Sequence, residues 1–309
     1  MSETVYHIPA LKDECIRGLD IKPDGIYADA TFGGGGHSRA ILAELGDQGR
    51  LFGFDQDADA YSNRIDDPRF TFVRGNFRYM KNFLGYYGVE RIDGILADLG
   101  VSFHHFDEAE RGFSFRAEAP LDMRMNRSAE LTAADILNSY SPERLTEIFR
   151  NYGELRQAPQ LVRSIVRERE SQPLSTTSDL LRIAEPMVSP KRQKKELAQI
   201  FQALRIEVNG EMQALTKFLE STPGILRAGG RLAVITYHSL EDRIVKNFLR
   251  TGNVAGRVEK DFYGRLQTPW ICITRSPIVP TQSEVERNPR SRSAKLRIAQ
   301  LAPPSEEEN

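Results

Sequence analysis

The chain has 309 residues, 40% hydrophobic and 28% charged, which suits an ordinary globular protein long enough for one large domain with an insertion, or for two domains. Its 42 Lys and Arg against 43 Asp and Glu leave a net charge of -1, so an anionic partner must be met by a local patch and not by overall charge. No stretch reaches the roughly 18 apolar residues of a membrane helix, the start has no basic and apolar leader, and Cys15 and Cys272 lack the spacing of a disulfide framework or a cysteine zinc site, so a reducing cytoplasm is the expected compartment.

In chain order, four short apolar runs read as strands: Ile26 to Asp29, Leu51 to Asp55, Phe70 to Val73 and Ile92 to Asp98. Amphipathic stretches separate them, as in a parallel sheet built from βαβ units. Three of the four end at an aspartate, which places carboxylates where open α/β sheets bind ligands, at the carboxyl ends of the strands. After Asp98 the pattern changes. Residues 1–105 are expected to form the first part of an α/β core and 106–193 an inserted helical subdomain, punctuated by Pro142, Pro159, Pro173, Pro186 and Pro190. Leu197 to Leu219 carries apolar residues three or four apart, the pattern of one long helix that opens the second part of the core, 194–300. Leu226 to Arg231 reads as a turn into a fifth strand, Leu232 to Tyr237. Ser239 to Asp242 then reads as a capping box that opens a helix and leaves His238 at the junction. Trp270 to Thr274 and Ala294 to Ala299 are predicted as closing strands, and 301–309 as a disordered tail.

The chemistry concentrates after the first strand. Asp29-Ala-Thr-Phe-Gly33-Gly34-Gly35-Gly36-His37-Ser38 precedes a helix, and glycines there let backbone N–H groups approach a ligand closely. A dinucleotide fingerprint needs a third glycine where this chain has Ser38 or Arg39, which counts against a nicotinamide dehydrogenase. The Asp-x-x-x-Gly-x-Gly pattern is instead similar to the first motif of S-adenosylmethionine-dependent methyltransferases. Asp55, 19 positions after Gly36 at the end of the second strand, can accept hydrogen bonds from both ribose hydroxyls of an adenosine.

Six blocks together resemble one family, the bacterial 16S ribosomal RNA methyltransferases that modify N4 of a cytosine in the decoding centre. They are the glycine-rich block from Asp29 to Ser38, Asp93 to Ser102, Arg111 to Phe115, Pro120 to Met125, His238 to Arg243 and Asn288 to Ser293. The resemblance covers nearly the whole chain. It implies a class I methyltransferase (Rossmann-like) α/β sheet with an inserted helical substrate-recognition subdomain, S-adenosyl-L-methionine as cofactor, and the small ribosomal subunit as cytoplasmic partner. It also implies cofactor contacts from Gly35, Gly36, His37, Asp55, Phe77, Asp98 and His105. The family reads Val-Ser-Ser-Pro-Gln where this chain has Val101-Ser102-Phe103-His104-His105.

Methylation of an exocyclic amine needs an acceptor for its N–H, because the nitrogen lone pair is otherwise delocalised into the ring. Asp98, Asp122 and His238 are alternative acceptors, and for His238 a plain helix-capping role competes. Phe103, Phe106, Phe113 and Phe115 offer either a stacking surface for a flipped base or a hydrophobic lid. Lys191, Arg192, Lys194 and Lys195 form the densest cationic run of a stretch, 150–205, that has eleven Lys/Arg against six Asp/Glu. With Arg290 and Arg292 in a second basic stripe from Arg287 to Arg297, they are the expected RNA contacts. No metal is expected, since the five histidines include no His-Glu-x-x-His and His104 and His105 are adjacent. A non-catalytic RNA-binding protein of the same fold is the remaining rival, and the sequence leaves monomer or dimer open.

Overall fold

The computed structural model describes residues 8–100 and 111–303. The chain divides into two compact units, Met1–Gly100 with Gln213–Asn309, and Val101–Met212.

The first unit is built on seven strands: β1 (Ile26–Asp29), β2 (Arg50–Asp55), β3 (Phe70–Arg74), β4 (Ile92–Asp98), β5 (Leu226–Thr236), β6 (Trp270–Cys272) and β7 (Lys295–Leu301). Their spatial order is β3-β2-β1-β4-β5-β7-β6. The first five run parallel, and β7 runs antiparallel to both β5 and β6. This is the class I methyltransferase sheet implied by the sequence. The central strands are buried on both faces, so they read as continuous apolar runs; every β4 residue before Asp98 is buried. Alternate residues feed two cores. Phe52, Phe54, Ile95, Leu232 and Val234 face one, with Phe218 and Phe248. Leu51, Leu96, Ala233 and Ile235 face the other, with Leu19 and Ile41.

Strands β1 and β4 have the expected limits, but β5 begins at Leu226, six residues earlier than expected. The Gly229-Gly230 pair does not end an element. It is absorbed as a bulge: Ile92 pairs with Leu226 and Gly94 with Arg231, so the extra β5 residues are accommodated by Gly229 at φ 79°. At the other end of the unit, β7 continues to Leu301, which pairs with Trp270 and is buried, so residue 301 closes the sheet and does not start the tail; residues 304–309 lie outside the described part.

The second unit packs the helices Ala133–Ser139, Pro142–Asn151, Ala158–Ser171, Thr177–Ala184 and Gln193–Asn209 around Phe113, Leu121, Met123, Ile136, Leu145, Phe149, Ile165, Leu180 and Phe201. Two helices start with complete Thr/Asp capping boxes, Thr132 with Asp135 and Thr176 with Asp179, and Ser141 caps a third with Pro142 at its first position. The predicted long helix from 197 to 219 is in fact two. Gly210 adopts φ 58° and closes the Gln193–Asn209 helix, and Glu211–Ser221 follows. The first of them belongs with the helical unit, which therefore extends beyond the expected 106–193. Leu197, Ile200, Phe201 and Leu204 lie in its core, and Asn209 ties the helix to the Met123–Met125 loop by donating to the Met123 carbonyl (2.8 Å) and accepting from Met125 N–H (2.7 Å).

Candidate active site

At the carboxyl end of β1 the chain turns through the glycine run into the Gly36–Glu44 helix, whose N-cap is Gly35 at φ 74°. A Cβ at Gly35 would fall 2.7 Å from Arg39 Nη1 and 2.9 Å from the Phe32 ring, so both the backbone conformation and the close approach require glycine. A Cβ at Gly34, by contrast, would meet nothing within 4 Å, which leaves open space above the loop. The loop is held from below by two carboxylates. Asp29, fully buried, accepts from Ser38 Oγ (2.7 Å) and Thr31 N–H (3.1 Å). Asp55, at the end of β2, accepts Gly33 N–H on Oδ2 (2.9 Å) and Asp57 N–H on Oδ1 (2.8 Å). Burial pushes the Asp29 carboxyl above the usual range, against the opposing pull of His37 and its two hydrogen-bond donors.

The second element of the site is the tip of β4. Thr31 Oγ1 accepts the Asp98 backbone N–H (2.7 Å), which locks the glycine loop to the β4 end. The Asp98 carboxylate is the convergence point. Its Oδ1 accepts from the Tyr237 hydroxyl (2.8 Å), and its Oδ2 lies 3.5 Å from His37 Nε2. Burial, then the Asp98 charge and the hydrogen bond to it, raise the Tyr237 hydroxyl well above its ordinary pKa, so it remains a donor. His37 is 5% exposed, and neither ring nitrogen has a well-formed hydrogen bond. A buried imidazole in that state is a polar group awaiting a partner. Open space above Gly34, an unsatisfied buried imidazole and two strand-tip carboxylates, Asp55 and Asp98, fit a ligand with ribose hydroxyls and a cationic centre.

Of the other expected cofactor residues, Gly35, Gly36 and His37 sit together on this loop. Phe77 stands after β3 as the first residue of a short helical turn, and packs edge to face on Phe218 with ring centroids 5.2 Å apart. Its neighbour Asn76 donates to Gln56 (2.8 Å), next to Asp55. His105, like Phe103 and Phe106, lies outside the described residues.

The three candidate acceptors differ in what surrounds them. Asp122 is in the helical unit, where Arg124 grips both of its oxygens (2.8 and 2.7 Å). Burial pushes the Asp122 carboxyl up, but the Arg124 bonds and charge outweigh it and the net shift is downward, which weakens it as a base. His238 caps the Ser239–Thr251 helix one residue earlier than the expected Ser239: Glu241 accepts the Tyr237 and His238 N–H groups (2.9 and 3.4 Å), and His238 Nδ1 faces Glu241 N–H at 3.5 Å. Its Nε2 lies 3.1 Å from Glu241 Oε1 without hydrogen-bond alignment. Only Asp98 stands on the tip shared with the glycine loop.

Phe113 is buried in the helical core, and half-buried Phe115 packs edge to face on Phe201. The Lys191, Arg192, Lys194 and Lys195 side chains are all exposed around the start of the Gln193–Asn209 helix. Arg290 and Arg292 are exposed on a short helical turn, but the expected stripe narrows behind them. Arg297 is buried against Asp242 (2.7 Å) and Lys295 lies 3.6 Å from the same carboxylate. The residues that sequence reasoning missed are Tyr237, Thr31 and Ser38, whose partners are known only once the strands are side by side.

The family model that matches this chain, the MraW methylase family, spans residues 4–302. A protein called ribosomal RNA small subunit methyltransferase H from Bacteroides thetaiotaomicron is 58% identical over 298 residues, covering 96% of this chain and 98% of its own. Proteins with the same name from Parabacteroides distasonis and Porphyromonas gingivalis are 58% and 59% identical, each over 96% of this chain. No helix among the described residues is long and apolar enough to cross a membrane. With a match from one end of the sheet to the other, the chain belongs to the MraW methylase family, whose cofactor is S-adenosylmethionine.

Proposed function

We propose that the chain transfers a methyl group from S-adenosylmethionine to N4 of a cytosine in the decoding region of 16S ribosomal RNA, acting in the cytoplasm on the small ribosomal subunit. The observation that carries this reading is the near-full-length identity with proteins named for small-subunit ribosomal RNA methylation. The six sequence blocks shared with the cytosine-N4 family supply the finer target.

The bound cofactor would supply an electrophilic methyl group on a sulfonium sulfur, which would keep the electron pair of the broken S–C bond and leave as a neutral thioether. The protein has three tasks around it. Gly35, Gly36 and His37 would cradle the ligand, His37 through its unsatisfied imidazole, while Asp55 would take the ribose hydroxyls and Phe77 would flank the adenine. Asp98 accepts an N–H of the cytosine amino group, which returns lone-pair density to the nitrogen as it attacks, and takes the proton the amine sheds once the new N–C bond has formed. Tyr237 and Thr31 keep Asp98 in place for this, the first through its carboxylate and the second through its backbone. The encirclement of Asp122 by Arg124 and the capping role of His238 favour Asp98 among the three. The helical unit, with its cationic run, is the substrate-recognition part, and Lys191, Arg192, Lys194 and Lys195 with Arg290 and Arg292 meet phosphates.

The test is a map of methylated cytosines in 16S ribosomal RNA from cells with the gene, without it, and complemented with Asp98→Asn. One N4-methylcytosine in the decoding region should vanish on deletion, return with the wild type and stay at about 1% or less of the wild-type rate with the variant, given the usual worth of a general base. A deletion that leaves every cytosine modification in place ends this reading. Full rescue by Asp98→Asn moves the acceptor role elsewhere.

A further inference from the structure

Between the Ser239–Thr251 helix and β6 the chain forms a protruding hairpin. Lys260 and Leu266 pair as an antiparallel bridge, flanked by Asp261 N–H to the Arg265 carbonyl and Gln267 N–H to the Glu259 carbonyl, both 2.9 Å. The turn is tightly specified. Gly264, at φ 80°, donates to the Asp261 carbonyl (3.0 Å), and Asp261 Oδ1 accepts the N–H groups of Tyr263 (2.9 Å) and Arg265 (2.8 Å). The base is fixed as well: Asn253 accepts Arg257 N–H (2.9 Å) and donates to the Arg257 carbonyl (2.8 Å).

This rigid turn holds two aromatic side chains out in solvent. Phe262 is 97% exposed and Tyr263 79%, their rings edge to face with centroids 5.6 Å apart. The Arg265 guanidinium lies 5.9 Å from the centre of the Tyr263 ring. Arg257, Lys260 and Arg265 are exposed on the same hairpin, and from 250 to 275 there are five Lys/Arg against Glu259 and Asp261, the latter already engaged by the turn. A surface made to bury these rings against a like copy would bring the cations together. Aromatic faces interleaved with arginine and lysine are instead the chemistry of a platform for unpaired nucleotides, where bases stack on rings and phosphates meet the cations.

We propose that the 252–268 hairpin is a docking element for unpaired RNA, with Phe262 and Tyr263 stacking on bases and Arg257, Lys260 and Arg265 on the flanking phosphates. The proposal rests on the ribosomal RNA reading above and adds a second contact surface to it. The placement assigns it to docking and not to chemistry. The Ser239–Thr251 helix starts beyond the tip of β5, and its 13 residues lead back along the sheet for about 20 Å. Strand β6 runs in the same direction as β5, so the hairpin enters it at the sheet edge opposite Asp98. A substrate that reaches both is much larger than a nucleoside.

The experiment compares the wild type with Phe262→Ala/Tyr263→Ala and Phe262→Trp/Tyr263→Trp, each as the full chain. A short fluorescein-labelled unpaired RNA and methylation of purified small ribosomal subunits serve as readouts, with S-adenosylmethionine titration as the control. The alanine pair should raise the RNA Kd and the KM for subunits about tenfold or more, leave kcat and cofactor affinity as they were, and be rescued by the tryptophan pair, which keeps two stacking faces. Unchanged RNA affinity and KM in the alanine pair overturn the proposal. So does a lower kcat at constant KM, or a change in sedimentation or in binding to anionic vesicles while RNA binding holds, which assign the rings to a second copy or to lipid. If the wild type itself neither binds the RNA nor methylates subunits, the ribosomal RNA reading falls and the hairpin proposal with it; if it does both, only the hairpin is at stake.

Discussion

Asp55 shows how one side chain at a strand tip serves both the fold and the ligand. A carboxylate offers about four acceptor positions; Asp55 accepts Gly33 N–H and Asp57 N–H with them, and the proposed ligand contact adds ribose hydroxyls to the same carboxylate. Asp55→Ala therefore removes a charge-assisted acceptor and also releases the first glycine of the loop. Calorimetric titration should show S-adenosylmethionine affinity weakened by about 1.5–3 kcal/mol or somewhat more, with the protein still folded. Asp55→Asn keeps one oxygen for Gly33 and should fall between the two. Unchanged affinity in the folded alanine variant would take Asp55 out of the site. Residue-level reading of the sequence reached Asp55 because its signal is local, an acid that ends an apolar run at a fixed distance from a glycine cluster. It did not reach Tyr237, whose hydroxyl meets Asp98 across 139 positions of chain. Nothing in the local pattern around a tyrosine after a strand announces that partner.

At the scale of an element, the start of the Gln193–Asn209 helix is built against its own electrostatics. Lys191, Arg192, Lys194 and Lys195 crowd the end where the helix dipole is positive, with only Glu196 to offset them in the first turn, and each cation there costs about 0.3–1 kcal/mol if it is near enough. Exposed cations kept at such a place suit an anionic partner. Neutralising all four should stabilise the helix slightly, leave cofactor affinity intact, and flatten the salt dependence of RNA binding. Each lost phosphate contact removes about 0.7–0.9 from the slope of log affinity against log salt concentration. Binding isotherms at several salt concentrations that superimpose on the wild type would make the run a solvated surface. The same helix marks a limit of pattern reading. Its apolar spacing continues into Glu211–Ser221, so periodicity alone joins the two, and only the left-handed Gly210 separates them. In β5 a glycine pair does the opposite: it resembles a terminator and is a bulge within one strand. A glycine permits both outcomes, and the pairing of distant strands or the packing of the helix decides which occurs. Strands β1 and β4 were legible to the residue because both faces are buried and the run ends at a carboxylate.

For the molecule as a whole, the two units carry different acid chemistry. In the helical unit Asp122, Asp135 and Asp179 all titrate below their ordinary 3.8: hydrogen bonds from Thr132 dominate at Asp135, while at Asp122 and Asp179 burial pulls upward and is outweighed by Arg124 and by the Ser175 and Thr176 donors. A carboxyl depressed in the folded state contributes stability above its unfolded pKa and loses it as pH falls through the folded one, because the unfolded chain binds the proton first. The helical unit should thus lose stability steadily as pH drops below about 4. In the sheet unit Asp67 is depressed by hydrogen bonds from Arg69, and Asp242, where burial pulls upward, by Arg297 and Lys295, but buried Asp29 is raised, so its folded form favours the proton and it gains as pH falls through that raised value. The sheet unit should therefore outlast the helical one in acid. The chain has a single tryptophan, Trp270, buried in the sheet unit against Phe248 with centroids 5.6 Å apart, so its fluorescence reports that unit alone. Far-ultraviolet circular dichroism, weighted toward helices, reports both. On acid titration at fixed ionic strength the dichroism should fall first, over the window just below pH 4, and the tryptophan emission should shift at lower pH. Asp122→Asn should move the dichroism transition without moving the fluorescence one. Superimposed transitions in the wild type would mean that the two units unfold together as one cooperative body, and the assignment of acid sensitivity to the helical unit would fail.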